Sequence, residues 1–61
     1  MILHFVGGRK SPVIILKETK SYLYIQCIGG YRTKYRVNRQ TGEVQDNVYH
    51  KPIKGLYLTE N

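Results

Sequence analysis

A chain of 61 residues holds one small domain at most, and at that size only about 60% of the unfolded surface is buried on folding, so stability is marginal. Ten Lys and Arg against four acids give a formal charge of +6, which favours acidic partners: DNA or RNA, an anionic surface or an acidic protein. One cysteine excludes an internal disulfide framework, and no window nears the roughly 18 apolar residues of a membrane span or shows a signal-peptide pattern, so the expected protein is cytoplasmic and off the membrane, and either weakly stable as a monomer or stabilised as a homodimer.

Met1 to Val6 (MILHFV) is a short apolar run followed by Gly7-Gly8-Arg9-Lys10-Ser11, the pattern of a strand entering a turn, with Phe5 in the core. Pro12 lacks an amide hydrogen and suits the start of the next strand, Val13 to Lys17. Its β-branched, continuous apolar run predicts burial on both faces and a central or strongly bent position. Glu18-Thr19-Lys20 then forms a tight polar connection.

Ser21 to Val37 (SYLYIQCIGGYRTKYRV) carries the clearest pattern, a β-hairpin in which Leu23, Ile25 and Cys27 alternate with Tyr22, Tyr24 and Gln26. Beyond Gly29-Gly30, Tyr31, Thr33, Tyr35 and Val37 alternate with Arg32, Lys34 and Arg36. A two-residue turn at Gly29-Gly30 would set Leu23 against Arg36 and Ile25 against Lys34, which leaves no apolar face. A three-residue loop, Ile28-Gly29-Gly30 with Gly30 at positive φ, instead pairs Leu23 with Tyr35, Ile25 with Thr33 and Cys27 with Tyr31. The outer face then pairs Tyr22 with Arg36, Tyr24 with Lys34 and Gln26 with Arg32. The predicted core joins Leu23, Ile25, Cys27, Tyr35 and Val37 to Phe5, Val13, Ile15 and Leu58.

Asn38 to Glu43 supplies turn residues for a second hairpin into a weaker Val44-Gln45 strand. Asp46 to Lys54 has no period, and Pro52 blocks a long helix, so a loop or one short helical turn is expected. Gly55 to Thr59 alternates again and closes the sheet, with Leu56 and Leu58 on one side and Tyr57 on the other.

Five or six short antiparallel strands, tight turns and no helical period predict an all-β fold, a small curved sheet or barrel. The arrangement resembles an SH3-like barrel, with an oligonucleotide-binding barrel as the alternative. The segment YRTKYRVNRQTGE also resembles short motifs of tiny bacteriophage-encoded β-barrel proteins, in which aromatic and basic strand residues precede a polar Gly turn. That resemblance implies a phage accessory protein acting on host nucleic acid or on a host enzyme, and it carries over no catalytic residue.

Two His, one Cys and four scattered acids have no catalytic or metal-ligand spacing, so neither an enzyme, a metal site nor a cofactor is expected. His4 reads as a satisfied, partly buried histidine, and Cys27 as a small core residue. The two Gly-Gly pairs lack the rest of a phosphate loop. No acid lies between Glu18 and Glu43, where Lys20, Arg32, Lys34, Arg36 and Arg39 fall. With Tyr22 and Tyr24, the residues Arg32, Lys34, Arg36 and Arg39 make a candidate surface for single-stranded or non-specific nucleic-acid binding, rings stacking on bases and cations meeting phosphates. The same surface suits an acidic host protein, and tyrosine beside arginine is also an ordinary stabilising cross-strand pair.

Overall fold

The computed structural model describes residues 1–61 as a single curled, half-barrel sheet of six antiparallel strands with no helix. They are β1 (Ile2–His4), β2 (Lys10–Glu18), β3 (Tyr22–Cys27), β4 (Lys34–Asn38), β5 (Val44–Asp46) and β6 (Tyr57–Thr59). The order across the sheet is β5-β4-β3-β2-β1-β6, so the first five strands form a meander and the sixth returns to pair with the first.

β2 makes the curl. Its first residues, Lys10 to Pro12, pair with β1, whereas Val13 to Glu18 pair with β3, and a bulge between Ile15 and Lys17 bends the strand between these partners. Pro12 sits at the changeover, where its carbonyl accepts the Ile28 N–H at 3.0 Å. The strand is central and bent, as its composition suggests, yet it is not buried on both faces. Ile14, Ile15 and Leu16 are each about half exposed. β1 reaches no farther than the Val13 N–H, which donates to Met1 at 3.0 Å, so nothing pairs with β2 on that side beyond Val13. Ile15 therefore opposes Ile25 on the concave side but lines an open end of the half-barrel, and it leaves the predicted core.

The enclosed core consists of Leu3, Val13, Leu23, Ile25, Cys27, Val37 and Val44, with Phe5, Tyr35, Leu56 and Leu58 packed on it. Leu3 and Ile25 are wholly buried. Each such side chain contributes roughly 1.5–3 kcal/mol through removal from water. Leu3 and Val44 lie in three-residue strands whose sequence pattern is too short to show a face, and each is buried because its strand has the core behind it.

In the β3–β4 hairpin the expected faces hold, but the register is displaced by two residues. Leu23 opposes Val37, Ile25 opposes Tyr35, Tyr24 opposes Arg36 and Gln26 opposes Lys34. The physical reason is a longer loop. Cys27 N–H donates to Thr33 C=O at 3.0 Å, enclosing Ile28 to Arg32, and within it Arg32 N–H closes a turn on Gly29 C=O at 3.3 Å. Gly30 has φ 63°, as expected, and Arg32 also takes a positive φ of 53°. The Gln26 side chain holds this shape by donating to the Arg32 carbonyl at 3.0 Å. Tyr31, predicted to face inward opposite Cys27, is instead fully exposed at the loop tip, and Thr33 also lies outside the core.

Beyond β5 the chain runs along that strand's outer edge: Asp46 N–H donates to Lys51 C=O at 3.0 Å and Ile53 N–H to Val44 C=O at 2.8 Å. It then crosses to the other end of the sheet at β6. The crossing requires a glycine, since Gly55 has φ 84° and a methyl there would stand 2.5 Å from Cγ2 of Val6.

Candidate nucleic-acid interface

The hairpin's convex face carries most of the expected residues, but several are engaged by the fold itself. Tyr22 opposes Asn38, yet Arg36 reaches it diagonally and places its guanidinium carbon 3.8 Å from the ring centroid. Arg36 Nε also donates to Gln45 Oε1 at 2.8 Å, and Gln45 Nε2 donates to Glu43 at 3.0 Å, so that cation faces an acid through a buried amide. Tyr24 has the Lys17 ammonium 5.8 Å from its ring centroid. Arg39 is not on this face. It donates to the Thr19 carbonyl at 2.7 Å and pairs with Glu18 at 3.0 Å, tying the β2–β3 turn to the β4–β5 turn in the chain's one ion pair.

Lys34 is exposed on the strand, and Arg32 stands exposed in the loop rather than opposite Gln26. Both lie at the end of the half-barrel where the β1–β2, β3–β4 and β5–β6 connections gather. That loop pole also carries Arg9, Lys10, Lys51 and Lys54, all exposed. Its one acid is Asp46, whose carboxylate accepts the backbone N–H groups of Val48, Tyr49 and Lys51 at 3.1, 2.7 and 2.7 Å. These bonds hold the Asp46 carboxyl below the usual carboxylate range, the Tyr49 amide contributing most, against a smaller opposing effect of desolvation. Glu18, Glu43 and Glu60 lie at the opposite pole, with the turns after β2 and β4 and the end of β6. No protein family, no curated protein and no solved structure matches the chain.

Between the β1–β2 turn and the β3–β4 loop the pole opens into a groove of about 750 Å³. Phe5 and Tyr35, whose rings meet edge to face at 6.4 Å, supply aromatic lining. Arg9, Lys10 and Tyr31 also border it. Partial burial raises the Tyr35 phenol pKa, with Cys27 adding to the effect, so this hydroxyl is a neutral hydrogen-bond donor at physiological pH. Arg9, Lys10 and Tyr31 were outside the candidate set read from the sequence. The signal for the first two was their place directly after Gly7-Gly8, which puts them on a turn; for Tyr31 it was the length of the loop, which strand alternation does not reveal.

His4 is a structural residue. It stacks on Tyr57 at 4.5 Å and its Nε2 lies 2.8 Å from the Thr59 hydroxyl, which fastens β1 to β6. No group of three or more His, Cys, Asp or Glu is placed to hold a metal ion. No helix is long and apolar enough to cross a membrane.

Proposed function

We propose that this chain binds nucleic acid, as a single strand or without sequence preference, through the loop pole and the adjoining end of the 21–37 hairpin. The observation that carries this reading is an excess of unpaired cations at the loop pole, where Asp46 is the one acid, whereas Lys20 and Arg39 lie among the acids of the other pole. Arg9, Lys10, Arg32 and Lys34 stand exposed and without ion pairs on a surface with exposed aromatic rings, while Glu18, Glu43 and Glu60 lie at the other pole. Phosphates gain from meeting such cations because each contact releases condensed counterions. Relative to the outer-face site expected from the sequence, the centre moves toward the loops. Lys34 and Arg32 remain in it, Tyr24 lies at its margin, and Tyr22, Arg36 and Arg39 serve the fold.

Affinity for a labelled oligonucleotide measured across a salt series tests the reading. Arg32→Ala and Lys34→Ala should each weaken binding to all sequences and reduce the slope of log affinity against log salt by about 0.7 for a single strand. Arg36→Ala, whose cation is already stacked on Tyr22, should leave that slope unchanged. Absence of binding at low salt rejects the proposal. A second reading, a protein-binding module of the kind that inhibits a host enzyme, is favoured by the exposed apolar surface of Val48, Tyr49 and Tyr57. Capture from a host lysate that survives nuclease treatment would favour it.

A further inference from the structure

The groove at the loop pole has a shape and chemistry that neither a phosphate chain alone nor a stacked duplex would use. Phe5 and Tyr35 line it with aromatic surface, Pro12 and Ile28 add apolar lining, and Tyr31 borders it with its whole side chain in water. An exposed tyrosine at a loop tip is commonplace by itself. Here, however, the loop that carries it is held in shape by the Arg32 N–H bond to Gly29 and by the Gln26 bond to Arg32, so the ring is presented from an ordered turn. Arg9 and Lys10 border the same groove without ion pairs.

From this combination we infer that the groove takes one unstacked base of a single strand, with Tyr31 closing over it against the Phe5–Tyr35 lining and the flanking phosphates on Arg9 and Lys10. The inference rests on the nucleic-acid reading above and narrows its ligand to a strand with unpaired bases. Aromatic rings accept any base through its π face, while cations at the rim fix the backbone, so the slot is tolerant of sequence and selective for single strands. A paired duplex keeps the faces of its bases inside its stack, so it offers the slot no ring to stack and meets only the cations of the rim.

The test compares three probes on the full-length chain at one salt concentration: a fluorescein-labelled oligothymidylate, an abasic oligomer of equal length and charge, and a blunt-ended duplex. With strands of about twelve nucleotides, loss of base stacking should weaken binding of the abasic oligomer about ten-fold or more. Tyr31→Leu should lower thymidylate affinity most of the way toward the abasic level, the Phe5–Tyr35 lining keeping the remainder, with no change in salt slope. Because Tyr31 lies wholly outside the core, this variant keeps the wild-type melting curve. Equal affinity for thymidylate and abasic strands overturns the slot and leaves nucleic-acid binding standing. Base dependence undiminished in Tyr31→Leu also overturns it, placing the stacking ring elsewhere. Failure of every probe to bind at low salt overturns both readings.

Discussion

Asp46 shows how a single side chain fixes the geometry of a loop. Its two carboxylate oxygens accept three backbone N–H groups from the next five residues, which allows His50 to keep a left-handed φ of 59°. Because these bonds favour the charged form, the folded pKa lies below the ordinary 3.8. The linkage sign follows. The carboxyl stabilises the loop fully above the unfolded value, and that contribution disappears as the pH falls through the lowered folded value. Acid titration followed by amide chemical shifts should therefore show the Val48, Tyr49 and Lys51 signals moving together in a window below 3.8. In Asp46→Asn the same amides should show no such step.

Among the elements, β2 and β3 make an instructive pair, because both are rich in β-branched or large apolar residues and only β3 buries its alternate set cleanly. β3 has a strand on each side and the core behind it, whereas β2 beyond Val13 is covered on one side only. Ile25→Ala should therefore cost about 2–5 kcal/mol, enough to unfold a domain this small, while Ile14→Ala on the half-exposed stretch should cost less than about 1 kcal/mol. Thermal unfolding followed by circular dichroism separates the two; similar midpoints would contradict this packing. The hairpin faces were legible in the sequence because alternation survives a displacement of two residues. The register was not, since it depends on how many residues the loop encloses, and the glycine pair does not reveal that the loop closes with the Cys27 N–H on the Thr33 carbonyl. In the same way, a run such as Val13-Ile14-Ile15-Leu16 reports apolar character without saying which neighbours are present to cover it.

For the molecule as a whole, sequence order concealed the charge distribution. The acid-free interval between Glu18 and Glu43 drew attention to Arg36 and Arg39, but folding sets each against an acid, Arg39 directly and Arg36 through Gln45. Meanwhile Arg9 and Lys10 come from a distant turn to join Arg32 and Lys34. The topology also has a kinetic side. Every strand pairing within the β1–β5 meander joins consecutive strands, whereas β6 reaches β1 only after more than fifty intervening residues, as in Leu3 opposite Leu58. Non-local pairing is slow to form and comes late. The short β6 strand, held on one side by β1, is then the natural place for the native state to open first. Native-state hydrogen exchange should find the β1–β6 amides exchanging well ahead of those of β3, through an opening that leaves the meander intact. In such a partly opened molecule His4 and Tyr57 separate, Leu58 lifts away from Leu3, and the apolar floor of the half-barrel is briefly uncovered from the C-terminal side while the β3–β4 loop stays in place.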